Sequence, residues 1–178
     1  MDEIVGVAEI LGAIAAVAAL FYVGYQIRQN TAAVRSATAQ AVHDNYAAWY
    51  QSYAGDPQLM KIAIDGLRDY GALGETEKAQ FIALFMSFVS YSQNAFYQWR
   101  EGSLSPELWI GWELLIMNLV SAPGGKEFWA ERGYVFGPDF RKHVESEIMT
   151  RQPHPGAKPL GAFEIGNTVG SPSERTDL

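Results

Sequence analysis

Histidines, paired acids and a glycine–lysine turn are the groups in this chain that could carry chemistry, and their spacing decides what they can do. The histidines are His43, His143 and His154. A helix-borne metal pair needs two ligands about one turn apart, as in HExxH, and none of the three has such a neighbour. His43 falls in a helical stretch where a solvated imidazole fits. His143, within "DFRKHVESE", lies among charges and is expected at the surface. Glu75 and Glu77, like Glu145 and Glu147, are two positions apart, which on a helix places them on different faces and assembles no carboxylate dyad. "APGGKEF" sets two glycines and a lysine at a helix start, where an anion could be held. A helix stop followed by a helix start accounts for the same residues. No GxSxG, P-loop or GxGxxG occurs. The expected catalytic, cofactor-binding and metal-ligating residues are none, and no enzyme is expected.

The totals narrow the classes further. A chain of 178 residues that is 48% hydrophobic can bury a sizeable core. Its net charge of -7, with no basic run, argues against a nucleic-acid partner. Cysteine is absent, so disulfides and thiol catalysis are excluded.

The more informative constellation is apolar. "ILGAIAAVAALFYVGYQI", residues 10–27, contains no charged side chain and is long enough to cross hydrocarbon. Asp2, Glu3 and Glu9 precede it, and Arg28 and Arg35 follow. An acidic start and a helical pattern that continues past the apolar block describe an uncleaved anchor rather than a signal peptide. Tyr22, Tyr25 and Arg28 suit the headgroup level, and the arginines place the N-terminal side outside and the rest in the cytoplasm. The expected location is the inner (cytoplasmic) membrane. Ala8, Gly12, Ala15, Ala16 and Ala19 form a small-residue stripe of the kind that lets helices approach closely in lipid. A second uncharged run, 79–99, carries glutamines, an asparagine and serines; Phe81, Leu84, Phe85, Phe88, Ser92 and Ala95 give it one buried face instead.

Punctuation sets the remaining elements. No proline precedes Pro57, so a first helix is expected from about Ile4 to Tyr53, with Val34, Thr38, Val42, Tyr46, Trp49 and Tyr53 on its packing face. Asp56 and Pro57 start a second helix that ends at Gly71. A third spans 75–100. Ser105 and Pro106 open a fourth, whose apolar face includes Leu108, Trp109, Trp112 and Ile116. Short helices follow at about 126–132 and 138–149. From Gln152 on, proline, glycine and serine read as an extended tail. The expected architecture is all-α: a single transmembrane helix (span about 8–27, then a stalk, within 1–54) continuing into a cytoplasmic helical bundle (55–150) and an extended tail (151–178).

"EILGAIAAVAALFYVGYQIRQNTAAVRSAT", "NAFYQWREGSLSPELW" and "SAPGGKEFWAERGYVFGPDF" together resemble an uncharacterised proteobacterial family that pairs one N-terminal hydrophobic helix with a helical domain. The resemblance covers about Glu9 to Val144 and implies the same architecture, without an activity. The functional expectation is a non-catalytic membrane assembly or accessory subunit. Its partners would be membrane lipid and either further copies of itself or a larger membrane complex. The alternative is a membrane-anchored sensor or carrier that holds a lipid or other apolar ligand among Trp99, Trp109, Trp112 and Trp129.

Overall fold

The computed structural model describes residues 1–151, except the side chains of residues 2–5, 7–10 and 13. The expected tail, apart from Arg151, lies outside the described residues. Those described are helical, with no strand among them. Helix α1 (Asp2–Ala54) is followed by α2 (Pro57–Arg68), α3 (Glu75–Arg100), α4 (Pro106–Ser121), α5 (Pro123–Arg132) and α6 (Pro138–His143), the last running into a π-helical turn over Val144–Ile148.

Helix α1 has 53 residues, a rod of about 80 Å. Only its C-terminal third packs. Val42, Trp49 and Tyr53 are buried, whereas Val34, expected on the same face, is 49% exposed. The bundle stops at the α3–α4 loop, where Gly102 adopts φ +74 and its carbonyl accepts from Arg35 Nε at 3.2 Å. Val34, one residue before Arg35, lies at that edge and is left exposed. Below it, Trp49 enters the core against Phe85 and Phe88, and its indole N–H donates to the Leu84 carbonyl of α3 at 2.9 Å.

Local chemistry sets the boundaries. Asp56 caps α2 by accepting from the backbone N–H groups of Gln58 and Leu59 at 2.9 and 3.1 Å, with Pro57 in the first turn. The expected end at Gly71 is too late. Asp69 is extended (φ -151) and accepts from Ala72 N–H, winding Tyr70–Ala72 into a tight 3₁₀ turn. That turn buries Tyr70 against Phe81 and brings its hydroxyl to Glu131 Oε2 at 2.7 Å. Burial, with this hydrogen bond second, pushes the Tyr70 phenol up to about 12. On α4, Trp109, Trp112 and Ile116 are buried as expected, but Leu108 is 47% exposed, one position off that stripe.

Helix α5 begins three residues earlier than its expected start because its glycines belong to it. A Cβ on Gly124 would lie 1.8 Å from the Gly66 carbonyl oxygen of α2, and one on Gly125 equally close to the Leu119 oxygen. A Cβ on Gly66 would in turn strike the Phe81 ring at 2.3 Å. So "PGG" allows backbone-to-backbone packing at the start of α5. Gly111, inside α4, is the opposite case, with nothing within 4 Å of its Cβ position.

Gly124→Ala is therefore expected to lower unfolding free energy by about 1–3 kcal/mol through overpacking, while Gly111→Ala raises it by up to about 1 kcal/mol through helix propensity. Urea melts of the two variants beside the parent check both signs.

Candidate functional site

Two features stand out from the packed bundle: a bare apolar rod and a buried polar clamp. On the rod, Leu11, Ile14, Leu20 and Phe21 are 61%, 61%, 73% and 76% exposed. At about 100° per residue, Leu11 and Tyr22 lie on one side of α1 while Leu20 and Ile27 lie on the other. The apolar surface therefore surrounds the helix instead of forming one stripe. Gly12, Ala15, Ala16 and Ala19 are exposed on it, and the Ala8 side chain lies outside the description. Tyr22, Tyr25 and Arg28 are exposed as well, with Gln29 donating to the Tyr25 hydroxyl at 2.7 Å. Among the described residues no helix is long and apolar enough to cross a membrane, and the uncharged stretch 10–27 includes Ile10 and Ala13, whose side chains are not described.

The clamp was not expected. Glu113 of α4 is 7% exposed. Its Oε1 accepts from Trp109 Nε1 at 3.0 Å and meets His143 Nε2 at 2.9 Å, while Oε2 accepts from Arg151 at 2.7 Å. His143 is thus not a surface residue: its side chain is 15% exposed and its ring lies against Phe96, Trp99 and Trp109. The helix turns the Val144 side inward and carries His143 with it. The signal was present in the register of α4, where Glu113 follows Trp109 by four and precedes Ile116 by three, both buried.

Burial works to raise the Glu113 carboxyl. Hydrogen bonds from Arg151 and His143, the Arg151 charge and the Trp109 N–H outweigh it, and the net direction is down. The group is an ionised carboxylate, so His143 Nε2 carries the proton it donates. No bond to Nδ1 occurs among the described residues.

His143 also lines a cleft of about 370 Å³ with Phe96, Trp99, Arg100 and Lys142. A carboxylate-oriented imidazole can serve as a general base. Ser146, one helical turn along, donates its hydroxyl proton to the Lys142 carbonyl at 2.8 Å. No group of three or more His, Cys, Asp or Glu side chains able to hold a metal occurs among the described residues. The Glu113 cluster ties α6 and the π-helical turn, where Met149 N–H reaches the Val144 carbonyl at 2.8 Å, onto α4. Of the tryptophans expected to line a ligand pocket in the alternative reading, Trp109, Trp112 and Trp129 are buried in the core, while Trp99 is partly buried and lines the cleft. Trp99 stacks on Trp109 with ring centroids 5.4 Å apart, and Trp129 stacks on Phe136.

No protein-family model, curated protein or solved structure matches this chain.

Glu113→Gln should cost about 1–3 kcal/mol at neutral pH by weakening bonds to buried donors. Because the folded carboxyl titrates below its unfolded value, its contribution is fully present above the ordinary glutamate range and disappears as pH falls through the lower folded value. The parent should therefore lose more stability than Glu113→Gln on acidification, as read by urea melts at neutral pH and at about pH 3.

Proposed function

We propose that the chain is a non-catalytic, single-pass membrane protein in which α1 anchors the helical bundle. In this role it acts as an assembly or accessory subunit, self-associating or within a larger membrane complex. One observation carries the reading: apolar side chains are exposed on every side of α1 between Leu11 and Ile27, above a well-packed bundle. A partner helix covers one stripe, whereas lipid covers all sides. The 18 uncharged positions of 10–27 match the hydrocarbon thickness. Arg28 and Arg35 at the bundle-side end favour a cytoplasmic bundle at the inner membrane, with Tyr22 and Tyr25 at headgroup level. Gly12, Ala15, Ala16 and Ala19, with Ala8, supply small surfaces through which two such helices could meet in lipid.

Expressed in bacteria, the full chain should stay in the membrane pellet after alkaline carbonate washing. Val17→Asp with Leu20→Asp should release it, since each aspartate costs about 2.5–3.5 kcal/mol at a span centre. A parent protein found in the soluble fraction would refute the anchor. Ala16→Leu should lower the mass of the detergent-solubilised assembly toward the monomer, and an unchanged mass would remove the stripe from the interface.

A further inference from the structure

Gly111 is a glycine that the packing of the fold does not require. It sits within α4, where glycine weakens a helix, and its Cβ position is open. The space it leaves belongs to a slot of about 410 Å³ between α1 and α4, within the range of small-molecule sites of roughly 300–1,000 Å³. Ala39, Val42, Tyr46 and the exposed His43 form the α1 wall, and Leu108 and Trp112 join Gly111 on the other. The smallest residue of each wall, Ala39 and Gly111, keeps the slot open. Its volume is about that of one turn of a helix ~10 Å across, so it suits a slender hydrocarbon chain better than a second helix.

Charge narrows the ligand. Arg35 precedes Ala39 by one helical turn, on the same face of α1. It is exposed, donates to the Gly102 carbonyl at 3.2 Å and pairs with no carboxylate among the described residues. An exposed cation one helical turn from the slot's Ala39 end complements an acyl chain with an anionic head. We propose that the slot binds a free long-chain fatty acid, its chain between Ala39 and Gly111 and its carboxylate at Arg35. The slot is built from described residues and does not depend on the membrane anchor.

The test uses full-length protein in phosphatidylcholine vesicles, or in buffer if the protein does not partition. The probe is a hexadecanoic acid carrying a photoreactive diazirine near its methyl end, with labelled peptides mapped by mass spectrometry. Label is expected on residues 39–46 and 108–115 and should be displaced by unlabelled hexadecanoate. Gly111→Leu should reduce that label at least tenfold while melting at or above the parent's temperature, which separates a filled slot from an unfolded protein. Arg35→Gln should weaken competition by hexadecanoate several-fold, to the level of hexadecanol. Label confined to residues 11–27, slot label indifferent to Gly111→Leu, or hexadecanol competing as well as hexadecanoate against the parent would each overturn the proposal. So would cross-links showing the slot covered by a second copy of the chain. Failure to partition into vesicles would count against the anchor alone, because slot labelling in buffer still decides the ligand.

Discussion

The indole of Trp49 is the point at which the long first helix becomes part of the bundle. Its N–H reaches a backbone carbonyl in the middle of α3, and its ring is packed against Phe85, Phe88 and Tyr53. A buried indole without that acceptor would cost about 1–3 kcal/mol, so the hydrogen bond fixes the level at which α1 docks as well as the fact that it docks. Where the bare apolar half stands relative to the bundle follows from this registration. So does the slot between α1 and α4, since Val42 and Tyr46 lie on the same helix within two turns of Trp49.

Close approach is the second organising principle. Gly66, Gly124 and Gly125 let α2, α4 and α5 meet with almost no side chain between them, which leaves the large aromatics free to fill the centre. Gly111 breaks the pattern, being small where space is left over. The same residue type thus marks tight packing in one place and an unfilled slot in another, a difference that appears only when neighbours are known.

That difference explains how much could be read beforehand. Periodicity and caps located α3 and α4 closely, because Phe81 to Ala95 and Trp109 to Ile116 repeat at helical spacing and Ser105–Pro106 is a strong start signal. Two boundaries slipped for tertiary reasons: Asp69 leaves the helix to bury Tyr70, and Gly124 joins one to touch Gly66. The polar clamp was less legible. "DFRKHVESE" carries the charges of a surface helix, and only the α4 carboxylate, Trp109 and Arg151 turn His143 inward. The slot between α1 and α4 was not legible at all, since residues 39–46 and 108–115 meet only through the docking of α1 on the bundle.

The unbroken course of α1 has a geometric consequence. With no proline or interruption between the apolar half and Trp49, the two ends share one helical phase. One residue inserted into the exposed stretch between Arg28 and Arg35 would turn the bundle by about 100° and shift it by about 1.5 Å relative to the apolar rod. Seven residues, close to two full turns, would nearly restore the original facing at a separation larger by about 10 Å. The segment behaves as a drive shaft with a fixed setting. Any partner that grips both ends must accept the angle between them as the helix dictates it.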